Sequence, residues 1–239
     1  MPMVKVCVVI PTYNEAGTIE SLINSILTAS NSEVIVVDDG SPDGTAALVE
    51  RIAQKDSRVK LINRGRKMGL GSAYQEGFRT ALGSKADVIV SMDADGSHPP
   101  ELIPELVKAV ETQADVAIAS RYVRGGKWSA GRKRMVISQG ANTLARICLG
   151  TKLNDMTSGY RAYSSKAVEH ILKKEFSKGY VFQVEIIYRL TRAGFKIAEI
   201  PFVFRERLTG ESKLSAAEIA RFLLVCLRIL ASRLTRSEG

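Results

Sequence analysis

The sequence predicts an α/β fold, a mainly parallel sheet covered by helices, and three observations carry that expectation. Short runs rich in Val and Ile alternate with longer amphipathic runs through the first half of the chain. Alternation of this kind builds βαβ units, whose crossovers make neighbouring strands parallel. Four of the short runs end in polar clusters, and ligands of such sheets sit at the carboxyl ends of the strands. The composition fits a globular chain with a sizeable core: 239 residues, 45% hydrophobic and 25% charged.

Taken in order, residues 4–10 read as a strand and 17–29 as a helix, and 33–37 with 44–55 repeat the pair. A third strand is expected over 58–62, a helix over 72–82 and a fourth strand over 87–92. The Pro99-Pro100 pair breaks that strand and starts a helix over 101–111, after which 115–120 is a fifth strand.

The strand ends carry the chemistry. Strand one ends in Pro11-Thr12-Tyr13-Asn14-Glu15, strand two in Asp38-Asp39-Gly40-Ser41, strand four in Asp93-Ala94-Asp95 and strand five in Ser120-Arg121-Tyr122. Parallel strands bring these clusters to one edge. If the backbone stays extended through Asp93 and Asp95, their side chains point the same way and can share a divalent cation. Magnesium or manganese favours such hard oxygen ligands and keeps positions open for phosphate oxygens.

Two other patterns carry less. Residues 39–50, DGSPDGTAALVE, nearly fit a calcium loop, but a β-type run precedes them where a helix is required. Gly69-Leu70-Gly71 lacks the third glycine of a dinucleotide fingerprint and reads as a turn entering a helix, with Arg64, Arg66 and Lys67 before it. His98 reads as a strand-to-helix turn residue, and His170 as a solvated helix residue.

Net charge of +9 and a pI near 9.5 imply an anionic partner: nucleic acid, phospholipid or a phosphorylated substrate. Cys7, Cys148 and Cys226 are scattered, as expected of reduced core thiols in a cytosolic compartment. Signal-peptide and transmembrane patterns are absent from the sequence.

PTYNE at 11–15, DDGSPDGT at 38–45, LGSAYQEGF at 70–78, MDADGSHPP at 92–100, SRY at 120–122, GYVFQVE at 179–185 and GESKL at 210–214 occur in one order. The set resembles family 2 glycosyltransferases of the GT-A fold, and more narrowly the dolichyl-phosphate (polyprenyl-phosphate) mannose synthases. The resemblance implies a GT-A domain over 1–214, with 215–239 as an amphipathic helix packed on it or lying in a membrane interface. It also implies that Pro11, Tyr13, Glu15, Val37 and Asp39 contact the donor's guanosine and ribose, and that Asp93, the Ala94 backbone and Asp95 hold metal and diphosphate. Ser97 stands where some relatives have a further metal ligand. Arg121 matches a phosphate-binding arginine, and Arg207 and Lys213 match a pair on the nucleotide phosphates or the acceptor. Asp95, Arg121 and Arg207 are thus the expected catalytic residues.

The reaction this implies is inverting transfer of mannose from GDP-mannose to a polyprenyl or dolichyl phosphate, with Mg2+ or Mn2+, at the cytosolic face of a membrane. A phosphate monoester is already anionic, so charge neutralisation is needed rather than a base. The run Arg121 to Arg134, RYVRGGKWSAGRKR, is basic with Trp128 at its centre. Arg121, Arg132, Arg134 and Ser138 are therefore expected to meet the lipid phosphate and the membrane surface. Residues 216–236 are apolar with interspersed arginines, which suits an interface or a packed helix, and the resemblance, in which some relatives carry further membrane helices, implies either peripheral attachment or a separate membrane-anchoring subunit. The competing readings are a glucose synthase using UDP-glucose and a basic non-catalytic protein that binds nucleic acid or lipid. The idle strand-end clusters speak against nucleic acid as partner.

Overall fold

Every residue of β1 (Val6–Thr12) is buried, as are all but one of β2 (Ser32–Asp38), the mark of strands covered on both faces. The computed structural model describes residues 4–129, 131–177, 179–204 and 216–234. β1 and β2 pair in parallel, with β3 (Val59–Asn63) beyond β2 and β4 (Val88–Ser91) on the other side of β1. β1 runs on to Thr12, two residues past its expected end. It can carry Pro11, which has no N–H to donate, because β4 pairs only as far as Val9.

The sheet continues through β7 (Arg161–Ser164), β5 (Val116–Ser120) and β8 (Ile197–Pro201). Its order among the described residues is β3-β2-β1-β4-β7-β5-β8. Only β7 runs against its neighbours, so the expectation of a mainly parallel sheet holds. β7 itself was not expected: RAYS is too short and too polar at its start to announce a strand. Its direction has a consequence, because the segment leading into it opens at the edge where β1, β2, β4 and β5 end.

One face of the sheet is covered by α1 (Ile19–Ala29), α2 (Thr45–Lys55) and α4 (Ile103–Thr112). In α1 the buried residues Ile19, Leu22, Ile23 and Ile26 follow the helical spacing, each burial contributing ~1.5–3 kcal/mol. A single 3-10 turn, Pro100–Leu102, leads into α4. The other face carries α3 (Leu70–Gly83), α6 (Ser165–Ile171), α7 (Phe182–Arg192) and parts of α5 (Arg132–Leu149) and α8 (Ala216–Leu234). α3 lies close to the sheet because Gly77 has no side chain; a Cβ there would stand 2.3 Å from Val9 Cγ1.

α8 packs through Val225, Cys226 and Ile229 while Ile219, Leu223, Leu224 and Leu227 stay exposed. A short parallel ladder, β6 (Lys127–Trp128) with β9 (Val203–Phe204), stacks Trp128 on Phe204 at 4.7 Å between ring centres. Cys7, Cys148 and Cys226 are buried and free, and burial pushes the Cys7 and Cys226 thiols up to about 12. They are inert core residues. His170 is half-buried against the Phe195 ring, not solvated as expected.

Candidate active site

The backbone does not stay extended through the two aspartates. β4 ends at Ser91, and the chain bends through Ala94 to Gly96, where φ is +79°. The turn is held from beneath: the Asp93 N–H donates to His98 Nδ1 at 2.9 Å, and the buried His98 ring stacks on Tyr160. His98 is thus a turn residue, as expected, and a buried one that shapes the site. Accepting at Nδ1 places its ring proton on Nε2.

Each aspartate has a hydroxyl donor. Tyr74, fully buried on α3, donates its phenol to Asp93 Oδ1 at 3.0 Å. Burial, then the Asp93 and Asp95 charges, raise that phenol well above its ordinary pKa, so it stays a donor. Ser97 gives both its N–H, at 3.0 Å, and its hydroxyl, at 2.6 Å, to Asp95 Oδ1. Ser97 thereby orients the Asp95 carboxylate, as a residue beside a metal ligand does. A hydroxyl-oriented pair of carboxylates suits a hard divalent cation that takes its other ligands from phosphate and water. Among the described residues no group of three acidic, histidine or cysteine side chains could hold a metal by itself.

The ends of β1 and β2 are knitted together. Thr12 Oγ1 and Ser41 Oγ both donate to Asp38 Oδ2, at 2.8 and 2.6 Å, and Asp43 accepts from the Thr45 hydroxyl at the start of α2 and from the Ala16 N–H in the loop after β1. These bonds account for the polar loop without calcium. Asp39 is 5% exposed and receives Arg64 together with the N–H groups of Met68 and Gly69. Lys67 lies over the half-buried Tyr13 ring at 4.1 Å. Pro11 and Val37 pair within the sheet and are buried, with Val37 packed toward Gly77. Glu15 donates its own N–H to Thr45 Oγ1.

At the end of β5, Arg121 is bound to Asp155, Nε to Oδ2 and Nη2 to Oδ1, both at 2.7 Å. Nη2 also reaches Thr157 Oγ1 at 2.8 Å, and the guanidinium lies over Trp128 at 4.8 Å. Burial works against the charge of both partners. Their mutual attraction prevails, lowering the Asp155 carboxyl and raising Arg121 from their ordinary values. Glu199 on β8 fixes the turn that carries Asp155, accepting from the N–H groups of Asn154 and Asp155 and from Ser120 Oγ. Ser138 on α5 accepts from the Tyr122 phenol at 2.8 Å.

Asp93, Ser97, Arg121 and Ser138 line one cavity of about 590 Å3. Its floor is Gly159 and Gln183, and it runs between α5 and α8 past Leu144, Phe222 and Leu223. Of the expected residues, Pro11, Tyr13, Glu15, Val37 and Asp39 lie instead at the β1–β2 end of the edge. Arg207 and Lys213 lie outside the described residues, as do the side chains of Arg132 and Arg134. Sequence reasoning missed Tyr74, Asp155, Gly159 and Gln183. Two of these lie within the quoted motifs LGSAYQEGF and GYVFQVE, but nothing local says that they meet Asp93.

A mainly parallel sheet covered by helices, with an aspartate pair at its carboxyl edge beside a cavity, is the arrangement of the GT-A fold. The pattern of Glycosyl transferase family 2 matches residues 7–172, and the chain belongs to that family. It is 42% identical to the polyprenol monophosphomannose synthase of Mycolicibacterium smegmatis, covering 100% of this chain and 92% of that protein. It is 46% identical to the undecaprenyl-phosphate mannosyltransferase of Micrococcus luteus over 88% of each chain. The crystal structure of glucosyl-3-phosphoglycerate synthase from Mycobacterium tuberculosis, in complex with Mn2+, UDP and glucosyl-3-phosphoglycerate, superposes with a TM-score of 0.68. It is 24% identical and covers 96% of this chain and 79% of that one, so the likeness is one of fold.

Proposed function

We propose that this enzyme transfers mannose from GDP-mannose to a polyprenyl phosphate, with inversion, at a membrane surface. The observation that carries this reading is the cavity, polar at Asp93, Arg121 and Gln183 and apolar where it passes between α5 and α8. A phosphate on a long hydrocarbon needs both ends. The names of the two relatives, a polyprenol monophosphomannose synthase and an undecaprenyl-phosphate mannosyltransferase, supply the sugar and the acceptor class.

In this reaction an oxygen of the acceptor phosphate bonds to the anomeric carbon as the bond from that carbon to the diphosphate oxygen breaks. GDP departs with the electron pair, and a single displacement inverts the centre. A phosphate nucleophile needs no proton removed, which agrees with His98 being committed to the Asp93 backbone. Asp93 and Asp95 would hold the divalent cation, as Mn2+ accompanies UDP in the solved relative, and the cation would neutralise the diphosphate. Tyr74 and Ser97 keep the two carboxylates oriented for it. Arg121, fixed by Asp155, adds a cation in a low-dielectric wall where two anions must approach. From the sequence pattern, Arg207 and Lys213 join on the nucleotide side, and Arg132 and Arg134 on the lipid side.

Attachment to the membrane is peripheral in this reading. Among the described residues no helix is long and apolar enough to cross a bilayer. The α5 and α8 surfaces instead leave Val136, Ile137, Ile147, Leu224 and Leu227 more than half exposed, an apolar face suited to an interface.

The test is transfer of labelled sugar to polyprenyl phosphate in detergent, comparing GDP-mannose with UDP-glucose, each with Mn2+ or excess EDTA. Metal-dependent mannosyl lipid is the expected product. Glucosyl lipid alone would transfer the site to a UDP-glucose donor, and no lipid product from either would remove the reading.

A further inference from the structure

Gln183, in the first turn of α7, is 5% exposed, and neither atom of its side-chain amide has a partner among the described residues. Its remaining exposure is to the cavity it helps to line. An amide that opens onto a cavity with no protein partner among the described residues has its acceptor and both donor hydrogens available to a ligand there.

The backbone that carries the amide is held in place. Arg161, fully buried at the start of β7, donates Nη1 to the Gln183 carbonyl at 3.0 Å and Nη2 to the Met156 carbonyl at 2.7 Å. One guanidinium thereby ties the first turn of α7 to the segment that carries Asp155. Facing Gln183 is Gly159, whose carbonyl is fixed by Ser91 Oγ at 2.7 Å. A Cβ on Gly159 would stand 2.9 Å from Gln183 Nε2 and 3.5 Å from both carboxylate oxygens of Asp93. The amide and the carboxylate thus converge on one spot, and the glycine leaves it open.

We infer that Gln183 reads a hydroxyl of the transferred hexose, making it a specificity-determining residue for the donor sugar. This rests on the mannosyltransferase reading above. Three chemical arguments favour a sugar hydroxyl over the acceptor phosphate as the group met here. An amide offers one acceptor and two donor hydrogens, the complement of a hydroxyl that both gives and accepts, whereas a phosphate dianion only accepts. The sugar is joined directly to the diphosphate, and Gln183 adjoins the aspartate assigned to that diphosphate. The guanidinium in the same cavity, Arg121, is the better partner for an anion.

The experiment measures kcat/KM for GDP-mannose and its 2-, 3-, 4- and 6-deoxy analogues, with one polyprenyl phosphate, for wild type, Gln183→Met and Gln183→Glu. Wild type is expected to use at least one analogue about 10–100-fold less well than GDP-mannose. Gln183→Met should bring that ratio to within about 3-fold, since the hydroxyl then has no partner to lose, with the inhibition constant of GDP unchanged. Gln183→Glu, which can still accept, should retain part of the discrimination. The ratios compare donors on one enzyme, so a partly destabilised variant still reports. Wild-type ratios in Gln183→Met, or an equal fall for all five donors, would overturn the inference while leaving the mannosyltransferase reading standing. A wild type that uses none of the mannose donors would overturn that reading and the inference with it.

Discussion

Two buried Arg–Asp pairs stand at the same sheet edge and do different work. Arg64 with Asp39 closes the β1–β2 end, where Asp39 also takes the N–H groups of Met68 and Gly69, all from one nearby loop. Arg121 with Asp155 spans β5 and the segment entering β7 and faces the cavity. The first pair braces the loop at the end of the edge proposed for the donor; the second holds a charge at the wall of a chamber. Both pairs join residues far apart in the chain, 25 positions for the first and 34 for the second, and they differ in what they face.

The contrast can be broken most severely between the two ends, at the aspartate turn. Asp95→Ala should lower mannose transfer by about 10³-fold or more, measured as initial rates at saturating Mn2+. A fall of only a few-fold would detach the turn from the chemistry.

The second pair should matter next. Asp155→Asn leaves Arg121 buried without its counter-ion and should cost about 3–5 kcal/mol of stability, read from the urea midpoint. The sign of its pH dependence follows from the lowered Asp155 pKa. The stability this carboxylate contributes is complete above the ordinary carboxyl value, about 3.9, and is lost as pH falls through the lower folded value. The wild-type midpoint should therefore drop below about pH 4, and the Asn variant should lack that part of the drop.

Smaller effects sharpen the division. Leu224→Glu with Leu227→Glu should weaken partition onto anionic vesicles about 10–100-fold and leave GDP affinity unchanged. Tyr74→Phe removes the hydroxyl from Asp93 and should weaken Mn2+ binding about 10-fold, by titration in the presence of GDP.

The same contrast explains what the sequence disclosed. The β1 and β2 ends, and the aspartate turn, are contiguous stretches at strand ends, so an apolar run followed by a polar cluster announced them. Even there the reason for the Asp93 and Asp95 arrangement differed: a bend at Gly96 held by His98, not strand alternation, sets it. The cavity was less legible because its walls come from residues far apart in the chain. Tyr74 meets Asp93 across 19 positions and Arg121 meets Asp155 across 34. A four-residue antiparallel strand brings Gly159 to the edge, and no local pattern foretells that insertion. α8 packs on the domain through one face and leaves apolar residues of the other exposed.

The account stands on the claim that the chamber between Asp93 and the α5–α8 pair receives the lipid phosphate while the nucleotide binds elsewhere on the edge. Leu144→Trp narrows that chamber from its apolar wall. Steady-state kinetics should give a KM for polyprenyl phosphate raised about 10-fold, with the KM for GDP-mannose within about 2-fold of wild type. An unchanged lipid KM, or equal increases for both substrates, would contradict the account.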